Sequence, residues 1–147
     1  MTLILARASA GIFILLGAWH FYWALGGRLG LHAAVPQVAG RPAFRPRRWM
    51  SAAVGISLLA CAALLLALGS DPDFWPRVPS ARPGWLVALG DVLALGLLLR
   101  GLGDGRRVGL FKRRAGPDAF ARWDAWVYSP LCLALSLATV VLAAGSR

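Results

Sequence analysis

Four apolar runs, at about residues 8–25, 50–69, 84–102 and 128–144, decide what this chain can become. Each approaches the ~20 residues that an α-helix, rising ~1.5 Å per residue, needs to cross ~30 Å of hydrocarbon. Inside a bilayer no water is available to the backbone, so a crossing segment must satisfy its own hydrogen bonds and is expected to be helical. The runs fill about half the chain and leave no room for a separate soluble domain. The expected fold is all-α: one integral membrane four-helix bundle over residues 1–147, with a basic cytoplasmic loop and an interfacial aromatic helix leading into the fourth span.

The charges fall almost wholly between these runs. A net charge of +10 would point to nucleic acid in a soluble protein, but here the membrane reading takes precedence and no nucleic-acid partner is expected. Arg28, Arg41, Arg45, Arg47 and Arg48 crowd the first connection; Arg100, Arg106, Arg107, Lys112, Arg113, Arg114 and Arg122 crowd the third. These twelve of the sixteen cations predict that connections 26–49 and 103–127 are cytoplasmic and that both termini lie outside, in a bacterial inner (plasma) membrane. The first run has no small-x-small cleavage site and ends in bulky HFYWAL, so it reads as a retained span rather than a signal peptide. The sixteen cations comprise fifteen arginines and one lysine, a bias that reads as a genomic habit.

Several side chains stand out against the apolar background. His20 sits among Trp19, Phe21, Tyr22 and Trp23; its plainer reading is a neutral histidine bonded to a neighbouring helix. Asp91 is the only acid well inside a run, hence near mid-membrane, serving either as interhelical glue or as a proton or ligand site. Ala53, Ser57 and Cys61 form a small-residue stripe of the kind that lets helices approach closely. Cys61 and Cys132 fall at depths on the order of 10 Å apart, so neither a disulfide nor a cysteine metal site is expected. The first connection, interrupted by Pro36, Pro42 and Pro46, reads as an extended surface segment, and Phe74 and Trp75 as dipping into the outer interface. Arg45, Arg47, Arg48, Lys112, Arg113 and Arg114 are the expected contacts to anionic lipid headgroups, while Arg100 is expected to snorkel to the surface. The fourth span either kinks at Pro130 or begins there with Ser129 as its cap.

Two passages carry a resemblance. HFYWALGG in the first span, and GDGRRVGLFKRR followed by FARWDAWVYSPLCL, resemble the bacterial domain-of-unknown-function 3995 family of small four-span membrane proteins. His20, Tyr22, Trp23, Gly26 and Gly27 match the first element. Gly103, Asp104, Arg106 or Arg107, Gly109, Phe111, Lys112, Phe120, Asp124, Tyr128, Ser129, Pro130, Leu131 and Cys132 match the second. Ala125 stands where the family usually has Thr, and GPDAF replaces a G-T-x-F connection. The resemblance implies a fold and a location, and supplies no reaction.

Depth along the spans brings the polar residues to one level. His20, Tyr22, Asp104, Arg106, Arg107, Asp124 and Tyr128 are expected to converge at the cytoplasmic mouth of the bundle. Three functions compete. The leading one is a non-enzymatic membrane protein whose polar cluster locks helices and binds a lipid, small molecule or partner. The second is a proton-linked carrier using Asp91 and His20. The third is a membrane enzyme acting on a lipid or quinone, with His20 as acid/base and Asp124 orienting it. No HExxH, metal-binding His pair, nucleophile motif or CxxC is present, so no cofactor and no metal are expected. The partners left open are membrane lipids at the cytoplasmic face, a second copy of the chain, or another membrane protein.

Overall fold

The computed structural model describes residues 1–38, 41–70, 83–106, 108–112 and 119–146. Helix α1 (Thr2–Ala24) is followed by a single helical turn, α2 (Leu31–Ala34), and a two-residue antiparallel ladder of β1 (Gln37–Val38) with β2 (Arg41–Pro42). Then come α3 (Arg48–Gly69), α4 (Gly84–Leu102), α5 (Ala119–Trp123), a π-helical turn over Asp124–Tyr128, and α6 (Ser129–Ala144). Four helical segments are long and apolar enough to cross a membrane: α1, α3, α4 and the continuous unit Ala119–Ala144. The chain is thus an all-α bundle of membrane-span-like helices.

Helices gain little by hiding apolar surface from lipid, so close backbone approach decides which faces meet. The faces of α1 and α3 meet through glycine and alanine. A Cβ placed on Gly17 would lie 3.3 Å from the Gly55 carbonyl oxygen, and one on Gly69 would overlap the Ala6 methyl. Ser51, Gly55, Ala62, Leu65, Leu68 and Gly69 are the buried residues of α3. The expected Ala53–Ser57–Cys61 stripe is therefore corrected: Ala53 and Ser57 are exposed, and the Ser57 hydroxyl donates to the Ala53 carbonyl of its own helix. Helices α4 and α6 form the second close pair, tied by Ser136 Oγ donating to the Ala94 carbonyl at 2.7 Å.

Ala6, Ala10 and Phe13 of α1, Ala62, Leu65 and Leu68 of α3, Leu86 of α4 and Leu135 and Leu142 of α6 make one core. It lies toward the terminal end of the bundle, where Ser146 Oγ donates to the Leu68 carbonyl. The other end carries the arginine-rich connections.

Pro130 follows a π turn inside one continuous helical unit, Ala119–Ala144. Its ring and missing N–H are incompatible with a regular turn just before it. The backbone answers by widening: the Ser129 N–H reaches the Asp124 carbonyl five residues back, and the helix runs on from α5 to α6. Ser129 is helical, so it is not the cap of a new helix. The helix that carries the fourth apolar run is longer than that run and begins at Ala119, so the aromatic segment leads into it without a break.

Candidate functional site

Asp124, at the start of the π turn, is fully buried. Its carboxylate is met from three directions. Arg100 Nη2, at the end of α4, lies 2.8 Å from Oδ1; Lys112 Nζ lies 2.9 Å from Oδ2; the Gly109 N–H donates to Oδ2 at 2.8 Å. Lys112 Nζ also donates to the Ala121 carbonyl at 2.8 Å. A buried carboxylate is tolerable only when paired and hydrogen-bonded in this way.

Arg100 turns its guanidinium onto Asp124 while its side chain stays 36% exposed. One expectation is corrected by this centre. Lys112 is not a headgroup contact: its side chain is 5% exposed and points inward. A compact ammonium fits the narrow gap between Asp124 Oδ2 and the Ala121 carbonyl, where a planar guanidinium would need more room. The one lysine in an arginine-rich chain was the signal for this pairing, and reading it as genomic habit missed it.

The third connection reaches this position by folding back on α4. The Leu110 N–H donates to the Gly101 carbonyl and the Phe111 N–H to the Leu102 carbonyl. Gly103 (φ +94°) and Gly109 (φ +90°) take left-handed backbone, and a Cβ on either would run into the other's strand of the loop. Asp104 serves the same loop: exposed, it accepts from the Arg106 N–H at 2.8 Å and the Val108 N–H at 3.0 Å. It was expected in the cluster, but these bonds make it a turn-forming acid instead.

Next to the Asp124 centre lies a cavity of about 730 Å³. Its walls come from α1 (Trp19, His20, Trp23), α2, Arg100 of α4, and the π-turn region (Trp123, Tyr128, Cys132). The first connection is a non-helical surface segment over residues 41–47, as its prolines suggested, but its earlier part is pulled inward by two side chains. Trp23 Nε1 donates to the Leu29 carbonyl at 2.9 Å, and Tyr128 OH donates to the Ala33 carbonyl at 3.2 Å. Ala33 and Val35 are consequently buried.

His20 and Tyr128 line this one cavity. The bond of His20 is not to a neighbouring helix, however. Its Nδ1 lies 2.8 Å from the Leu16 carbonyl one turn back, and its ring meets Trp23 edge-on at 4.9 Å. Because a carbonyl can only accept, Nδ1 carries a proton. Tyr22 lies elsewhere, against Trp19 and over Gly27. Asp91 is on an exposed face of α4, away from the cavity lining. Arg45, Arg47, Arg48 and Arg106 are exposed. Arg107, Arg113, Arg114, Phe74 and Trp75 lie outside the described residues. Cys61 and Cys132 are free thiols, and no group of His, Cys and Asp among the described residues could hold a metal ion. His32 and Trp123, cavity residues that the sequence reading did not single out, were hidden because their relevance depends on how the loops fold back.

The chain belongs to the family described as protein of unknown function (DUF3995), whose model matches residues 13–139. No curated protein and no solved structure matches it. The two passages carrying the family resemblance contribute His20 and Trp23 to the cavity wall, and Gly109, Lys112 and Asp124 to the buried centre.

Proposed function

We propose that this member of the family of unknown function is a non-enzymatic, multi-pass protein of the bacterial inner membrane that holds an amphiphilic molecule at the cytoplasmic mouth of its bundle. Both termini lie outside and connections 26–49 and 103–127 face the cytosol, on the strength of their arginine content. The buried Asp124 centre locks the third connection onto α4 and the fourth span, and that lock sets the shape of the cavity beside it.

The observation that carries this reading is the cavity of about 730 Å³ walled by Trp19, Trp23 and Trp123 and by Arg100. Its size lies within the ~300–1,000 Å³ usual for small-molecule sites, which are likewise mostly apolar with a few placed polar groups. Its place at the arginine-rich end suits a ligand with one polar end and one apolar end.

The test is mass spectrometry of organic extracts from protein purified in a mild detergent. Wild-type protein should carry an amphiphile in near-stoichiometric amount. The variant Ala34→Trp, whose indole fills the cavity, should lose it and still melt within a few degrees of wild type. Equal retention by a folded Ala34→Trp variant refutes the reading.

A further inference from the structure

The geometry points to an amphiphile with an anionic head, a carboxylate or a phosphate, seated against Arg100. This deepens the binding reading above and rests on it. The first observation is a local imbalance of charge. Asp124 contributes one negative charge and is met by two cations, Arg100 and Lys112. Among the described residues one positive charge is therefore left over at this centre.

The second observation says where that charge is felt. Lys112 is turned inward and spends its ammonium on Asp124 and the Ala121 carbonyl, whereas Arg100 lines the cavity. Arg100 Nη2 is used by Asp124, but Nη1 is buried and has no hydrogen-bond partner among the described residues. A carboxylate or phosphate docked against Arg100, which lines the cavity with its side chain 36% exposed, supplies the missing counter-charge.

The third observation concerns what else faces the space. Among the described residues no acid lines the cavity, since Asp124 is closed off behind Arg100. Tyr128 OH is already committed to the Ala33 carbonyl, so it does not compete for the head. Besides His20 and His32, neither of which is an acid, the remaining wall is mostly aromatic and aliphatic, which accommodates an acyl chain. A neutral head would leave Arg100 as it stands, short of a counter-charge.

The test uses the full chain in maltoside micelles, with Trp19, Trp23 and Trp123 as reporters. The probes are dibrominated stearate, dibrominated phosphatidylglycerol and, as the uncharged reference, dibrominated stearyl alcohol; bromine quenches indoles that it touches. At least one anionic probe should quench saturably at about a tenfold lower micellar mole fraction than the alcohol, as expected for one charge-assisted bond. Stearate alone identifies a free fatty acid, and phosphatidylglycerol alone a lipid phosphate. Arg100→Gln removes the surplus charge and leaves Asp124 paired with Lys112, so it should bring the anionic and alcohol curves together. Should that variant fold poorly, Ala34→Asp places an acid on the cavity wall with Arg100 intact. It should weaken the anions while sparing the alcohol. If anions and alcohol saturate equally in wild type, the anionic assignment is overturned and the binding reading stands. If no probe saturates and Ala34→Trp changes nothing, both are overturned.

Discussion

The two ends of the bundle are built on different physics. At the terminal end, Ala6, Ala10, Leu65, Leu68 and Leu142 close into a core, and Gly69 lies directly against Ala6. Contacts there are short-range and undirected, and each is worth little alone. At the arginine-rich end the same helices part around a cavity, and a buried carboxylate with three donors holds the connections in place. Packing sets how near two helices come. Directional bonds to Asp124 set which residues of a loop face inward.

This contrast is open to attack by substitution. The largest effect is expected for Asp124→Asn, which leaves Arg100 and Lys112 without their counter-charge. A loss of about 3–5 kcal/mol is expected from breaking a buried pair on one side. Unfolding in mixed micelles measures it, and a loss under about 1 kcal/mol would show that the polar end is not held by charge. The loss should change little with added salt, because buried pairs are poorly screened. Gly69→Leu attacks the other end. Its side chain has no room beside Ala6, and overpacking typically costs about 1–3 kcal/mol. Cysteine cross-linking between α1 and α3 near that end should slow in this variant, while the cavity's amphiphile binding stays as in wild type.

Lys112→Arg sharpens the comparison by keeping the charge and changing only its shape. We expect a loss of about 1–2 kcal/mol from crowding between Asp124 and the Ala121 carbonyl. Proteolysis of the third connection would report it as faster cleavage; an unchanged rate would mean that charge alone suffices there. Ser136→Ala is the smallest. It deletes the bond to the Ala94 carbonyl between α4 and α6, and such bonds average about 0.6 kcal/mol in membranes. Its melting shift in detergent should be the least of the four.

Particular residues show how far the sequence could be read. Asp124, Tyr128 and His20 drew notice because polar groups are rare in apolar helices, and His20 and Tyr128 do line one cavity. Lys112 was given to lipid headgroups because its neighbours are arginines, whereas the fold-back at Gly103 and Gly109 turns it inward. Asp104 lies among the motif residues, but its carboxylate accepts from the N–H groups of its own loop. The packing face of α3 was only partly placed: Cys61 packs against the core, but Ala53 and Ser57 are exposed, and Gly55 and Gly69 meet α1. The π turn before Pro130 could not be read ahead, since a proline states which hydrogen bond is lost and not how the backbone absorbs the loss.

Taken by itself, the order of residues determined that the chain makes four membrane-length helices and that its cations gather at alternate connections. Both are properties of local composition, additive along the chain. Only the tertiary structure decided that Arg100, Lys112 and the Gly109 N–H share Asp124, and that a cavity opens between α1 and the fourth span. Those outcomes depend on the rotation of each helix about its axis and on the path of a glycine-hinged loop. Such angles are fixed by contacts between residues far apart in sequence, and no stretch of the chain contains them alone.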